Sequence, residues 1–172
     1  PISSRSYVAP YYWAQTAAEL NATNKTLTAK SNGMYLSLPK TYVSPGHRYT
    51  WTITFTSSQS FTLRLIDPNC LDTTGYKYYG NDAPMTNISR TANNTIIPAN
   101  TPTTIYVTAT IPADAIDTYL YHVMTFAVTN GQVINYSNCK VVCEDEGGNI
   151  WEDIEGATSS TYTIDQSMVG KK

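Results

Sequence analysis

Residues 48–66 read RYTWTITFTSSQSFTLRLI and alternate in character almost without a break. Tyr49, Trp51, Ile53 and Phe55 fall on one parity, and Thr50, Thr52, Thr54 and Thr56 on the other. A two-residue period is the signature of a half-buried β-strand, because successive side chains point to opposite faces. The spacing predicts a strand, with SSQS turning it back as a hairpin into FTLRLI. There Phe61, Leu63 and Leu65 share one face, and Thr62, Arg64 and Ile66 the other. Burying one apolar row does not offset the entropy of ordering a lone hairpin. A second sheet must therefore cover that row, which leaves the threonines facing away from the core.

The rest of the 172-residue chain repeats the theme. GMYLSLP (33–39) reads as a strand with Met34, Leu36 and Leu38 on one side. SPGH (44–47) places Pro then Gly in type II turn order. TNIS and NTIIP are candidate short strands. TTIYVTATI (103–111) puts Ile105, Val107, Ala109 and Ile111 on one parity, and Thr104, Tyr106, Thr108 and Thr110 on the other. PADA is a turn. LYHVMTFAVT (120–129) is apolar on both parities, as expected of a central strand covered on both sides. Asn130-Gly131 is a strong hairpin signal, and QVINYS and CKVVCE follow as strands. Residues 67–84 read as a long loop. AAELNA alone has helical propensity, enough for one or two turns. Some eight strands with no long helix select an all-β fold, an antiparallel two-sheet β-sandwich or a barrel.

Composition narrows the function classes. Only 14% of residues are charged, the net charge is −2 and no Lys/Arg cluster occurs, which disfavours a phosphate-tracking nucleic-acid surface. No apolar run approaches the length of a membrane-spanning helix. The polar surface comes from Thr, Ser, Asn and 14 tyrosines, a mixture common in extracellular and virion-surface β proteins. Three cysteines, Cys70, Cys139 and Cys143, leave at least one thiol unpaired. Cys139 and Cys143 on one strand stand roughly 13 Å apart, too far for a disulfide. Ordinary buried thiols fit a chain assembled in a reducing compartment. The chain starts at Pro1 and ends at Lys172, which reads as a piece of a longer polypeptide.

No catalytic motif stands out. His47 and His122 have no neighbouring nucleophile motif, and the acids cluster at 144–155 on a connector rather than as a paired-carboxylate site. An enzyme is not expected, no cofactor is implied, and no EF-hand-like spacing assigns a metal site.

Two stretches carry resemblances. YVSPGHRYTWTITFTSSQSFTLRLI, TPTTIYVTATIPADA and VINYSNCKVVCEDEG resemble the jelly-roll carbohydrate-binding-module-like domains of bacterial glycoside hydrolases and of phage tail, baseplate and fibre proteins. The closing CKVVC departs from the Lys-Leu-Glu usual in those domains. WEDIEGATSSTYTIDQSMVGKK is similar to the Ig-like repeats of bacterial surface and phage structural proteins, without their final strand. The implied organisation is a carbohydrate-binding-like sandwich over 1–143 and a connector with a partial Ig-like segment over 144–172.

The resemblance implies a non-catalytic module of a virion or of a bacterial surface protein, located on the virion, outside the cell or at its surface. It would recognise host polysaccharide by shallow aromatic and hydroxyl contacts. The alternative is a structural module whose partners are other copies of itself or neighbouring virion or surface proteins. Stacking on sugars needs exposed rings with polar groups beside them. The candidates are Tyr76, Tyr78 and Tyr79 in the long loop with Asn81 and Asp82, and Tyr12 and Trp13 near the N-terminus. Tyr106 and Arg64 are expected to reach into a shallow groove floored by the threonines. The plainer alternatives are a self-packed loop, a tether or subunit contact, and a solvated strand face.

Overall fold

The structure, a computed structural model, describes residues 4–6, 11–12, 17–37, 41–72, 77–79, 85–115, 118–120 and 122–144. These contain strands and no helix. Numbered along the chain, the first strands are β1 (Ser4–Ser6), β2 (Tyr11–Tyr12), β3 (Ala18–Asn21), β4 (Thr26–Ala29), β5 (Gly33–Ser37) and β6 (Thr41–Val43). Then come β7 (Arg48–Ser57), β8 (Phe61–Asp67), β9 (Cys70–Asp72), β10 (Lys77–Tyr79) and β11 (Thr86–Arg90). The last are β12 (Thr95–Ile97), β13 (Thr103–Thr110), β14 (Thr118–Leu120), β15 (Val123–Ala127) and β16 (Val133–Cys143).

Two large antiparallel sheets make the sandwich. One runs β11-β13-β7-β16-β4-β3, with β1 also on β16, and the other runs β12-β8-β15-β5-β2. The alternating strand does what its period dictates. Tyr49, Trp51, Ile53 and Phe55 are buried, and their partners Ile105, Val107 and Ala109 on β13 are buried beside them. The two inner faces meet through rings. Phe55 stands edge-on to Phe61 at 6.0 Å and to Phe126 at 5.4 Å between centroids, a geometry that aromatic quadrupoles favour.

Several expectations are revised. SSQS does not turn a hairpin, because β7 and β8 lie in different sheets. Both strands carry apolar rows, and facing each other across the core buries both rows where edge pairing would leave one uncovered. Asn130-Gly131 is likewise a crossover from β15 to β16. Only Gly131 has positive φ there, at 84°, and the Gln132 N–H donates to the Thr129 carbonyl at 2.9 Å. That is a type II turn rather than the type I′ turn whose twist suits paired strands. Buried Gln132 joins the two crossovers. Its Nε2 donates to Ser57 Oγ at 3.1 Å and to the Gln59 carbonyl at 2.9 Å.

AAELNA forms strand β3, not a helix, because pairing with β4 buries Ala18 against the core, and tertiary context overrides weak propensity. On β8 a bulge falls at Arg64, where β15 steps from Thr125 to Phe126 while β8 steps from Leu65 to Leu63. The extra residue inverts the parity, so Ile66 is 1% exposed and Leu65 40%. QVINYS and CKVVCE form one strand, β16. LYHVMTFAVT is split at His122 between β14 and β15, and β15 is the central strand of its sheet. The SPGH turn stands as read. Gly46 has φ 78°, and the His47 N–H donates to the Ser44 carbonyl at 3.4 Å.

The region read as a long loop contains β9 and β10, which join β14 and β6 in a third, four-stranded sheet, β10-β9-β14-β6. The sandwich therefore has an appended small sheet, and its buried Thr41, Cys70 and Leu120 share one register row. All three cysteines are buried, and none is in a disulfide. Leu38 and the Ig-like stretch at 151–172 lie outside the described residues.

Candidate functional site

The outward face of the seven-stranded sheet is built from β13, β7 and β16. Register partners on neighbouring strands point the same way, so the pairings define rows. Thr108, Thr50 and Val142 form one row, Tyr106, Thr52 and Lys140 the next, and Thr104, Thr54 and Ser137 a third.

The hydroxyls pair across strands. Thr50 Oγ1 and Thr108 Oγ1 are 2.8 Å apart, as are Thr54 Oγ1 and Thr104 Oγ1. Thr50 also donates to Glu144 Oε1. A hydroxyl has one hydrogen and two lone pairs, so Thr108 must be the donor to Thr50, and a directed chain runs Thr108 to Thr50 to Glu144. Thr52 donates to the Asn138 carbonyl at 3.3 Å, and Asn138 Nδ2 donates to Thr54 Oγ1 at 3.2 Å. The hydrogens of Thr50, Thr52 and Thr108 are thus committed inside the protein. Thr50 and Thr52 are half-buried and turn lone pairs outward, whereas Thr108 is buried beneath them.

Asn138 sits at this face because β16 carries a bulge between Ser137 and Lys140. Its φ of 52° is the left-handed region that Asn tolerates better than other side chains. At the end of the face Arg48 Nε lies 3.4 Å from Glu144 Oε2, and Arg48 Nη1 donates to the Asn87 carbonyl at 2.7 Å.

Tyr106 is the aromatic member of the face. Its phenol oxygen is 3.2 Å from Ser89 Oγ on β11, so the ring leans across the neighbouring strand and is 37% exposed. Its backbone is fixed as well. Its N–H donates to Thr91 Oγ1 at 3.0 Å, and the Thr91 N–H donates to its carbonyl at 3.1 Å.

Arg64 is not part of this arrangement. It is exposed on β8, in the other large sheet, so the expectation that it reaches into the groove with Tyr106 is corrected. Parity placed its side chain outward but could not say on which sheet. Tyr78 and Tyr79 lie on β10, at the edge of the small sheet, with Tyr79 in register with Cys70. Tyr12 lies on β2, in register with Leu36. Tyr76, Asn81, Asp82 and Trp13 fall outside the described residues. The small sheet also holds a pair that the sequence reading missed. Tyr42 and Tyr119 are register partners with ring centroids 6.0 Å apart, and Tyr42 is exposed. Their alternation with Thr, Val and Leu in TYV and TYL was the available signal. Lys140 and Asn138 were missed too, because only the long-range pairing of β16 with β7 brings them to the threonines.

No family model and no characterised protein matches the sequence. Among solved structures, the chain is similar to one described as CBM4, with a TM-score of 0.41 and 14% identity over 69% of this chain and 70% of the other. It is also similar to the CBM22 and GH10 modules of a Clostridium thermocellum endo-1,4-beta-D-xylanase complexed with xylohexaose. There the TM-score is 0.40 and the identity 12%, over 83% of this chain and 25% of the other. A third is the C-terminal CBM6 of a laminarinase from Zobellia galactanivorans, with a TM-score of 0.35 and 15% identity over 73% and 86%. Likenesses this loose carry no argument about function.

Proposed function

We propose that the chain is a non-catalytic carbohydrate-binding module that takes polysaccharide on the outward face of the seven-stranded sheet. The observation that carries this reading is the combination at Tyr106. A ring held across the sheet at Ser89 lies in the row of Thr52 and beside Thr108, whose hydrogens are committed internally. Sugars offer what these hydroxyls lack. Their hydroxyls donate to lone pairs, and their C–H faces pack on an aromatic ring. The sequence resemblance to carbohydrate-binding-module-like domains supports the same reading. It is also the ground for proposing a phage virion or bacterial surface protein as the setting, with a second, Ig-like module beginning after residue 143.

Glycan-array screening followed by isothermal titration calorimetry on the full chain tests the reading. Tyr106→Ala should weaken binding about ten- to a hundredfold, the worth of one ring's contact area. Tyr106→Phe, which keeps the ring, should retain most of it. Equal affinity in wild type and Tyr106→Ala would overturn the assignment.

A specific observation favours a second reading, a structural module that contacts protein copies. The outward face of the five-stranded sheet exposes Ile96, Leu65 and Tyr35, with Leu65 and Tyr35 flanking Thr125 in one row. Exposed apolar residues grouped in this way suit a protein interface. Sedimentation analysis separates the readings. Stable oligomers that Ile96→Asp dissociates, together with silence on the glycan array, would favour the structural role.

A further inference from the structure

We infer that the polysaccharide taken by this face is an acidic one, bearing carboxylates on its sugar rings, and that Lys140 receives the carboxylate. The inference rests on the carbohydrate reading of the same face and deepens it.

Lys140 stands in the central row, in register with Thr52, which is in turn in register with Tyr106. The strands bearing the ring and the ammonium are two spacings apart, about 9–10 Å, with the Thr52 hydroxyl between them. A saccharide stacked on Tyr106 would carry its substituents towards Lys140. The other cation of the face is already engaged, since Arg48 is paired with Glu144 and bonded to the Asn87 carbonyl. Lys140 is exposed and has no carboxylate or hydrogen-bond partner among the described residues. Among the described side chains Arg48 and Glu144 cancel, so the face keeps one uncompensated positive charge in a chain whose net charge is −2.

A neutral glycan offers the ammonium only hydroxyl and ring oxygens, whereas a carboxylate adds an opposite charge to the hydrogen bond. One cation beside one ring matches one charge per sugar. A densely sulfated polymer would call for a cluster of cations.

The test is calorimetric titration of the full chain with sodium polygalacturonate, neutral xylan, neutral β-glucan and dextran sulfate, at low and high salt. Polygalacturonate should bind most tightly and weaken with salt. Lys140→Gln should weaken it about two- to fivefold, the range of an exposed ion pair, and Lys140→Glu more. Both substitutions should cost polygalacturonate more than they cost a neutral glycan, and Tyr106→Ala should weaken all of them. Neutral glycans bound as tightly as polygalacturonate, with no effect of Lys140→Gln, would overturn the acidic assignment and leave the carbohydrate reading standing. Preference for dextran sulfate would overturn the carboxylate assignment alone. No binding to any of the four would overturn the carbohydrate reading and this inference with it.

Discussion

His122 illustrates how one side chain sets a pH limit on the fold. Its Nδ1 accepts the Asn69 N–H at 3.2 Å, and its ring meets Trp51 at 6.1 Å, edge to face. Burial pushes its pKa down to about 4, against an opposing pull from Asp67. In the unfolded chain an ordinary histidine takes up its proton near pH 6.5. Stability is therefore fully present above about pH 6.5 and is lost as the pH falls towards 4. The loss amounts to about 3 kcal/mol at most, and urea denaturation across that range should reveal it. His122→Gln should flatten that part of the profile. Asn138 offers a second test. Asn138→Gly keeps the left-handed backbone available, whereas Asn138→Val forces a β-branched residue into it and should cost about 1–3 kcal/mol in the same assay. At this scale the sequence was legible for parity. Tyr106 and the threonines point outward, as their alternation requires. Nothing local in SNCK announced a bulge, so the approach of Asn138 and Lys140 to Thr52 could not be read.

Among the elements, the strands were legible but their partners were not. Turn residues at Ser57–Ser60 and Asn130-Gly131 mark where the chain reverses. A reversal within a sheet and a step between sheets use the same residues, and only the competition to bury two apolar rows decides between them. The four-stranded sheet escaped notice because its strands are three residues long, too short for a period to register. The bulge on β8 gives the sharpest test at this level. Uninterrupted alternation puts Leu65 in the core and Ile66 outside, and the structure reverses them. Ile66→Ala should cost about 2–5 kcal/mol, and Leu65→Ala should stay within about 0.5 kcal/mol. Chemical denaturation of the two variants would contradict the fold if the order were inverted.

Across the molecule, the described cysteines and His122 are held inside. Burial raises the Cys70 and Cys139 thiols to about 12, and Cys143 is buried as well. All three should resist Ellman's reagent at mildly alkaline pH until the protein is unfolded, when all should react. Function rests on which broad surface meets the ligand, the hydroxyl face of the seven-stranded sheet or the apolar face opposite. The most direct measurement is an amide chemical-shift titration of the full chain with a bound oligosaccharide. The expected result is perturbation centred on Thr52, Tyr106 and Lys140, across β7, β13 and β16. Shifts centred on Tyr35, Leu65 and Ile96 would contradict the assignment of the ligand to the hydroxyl face.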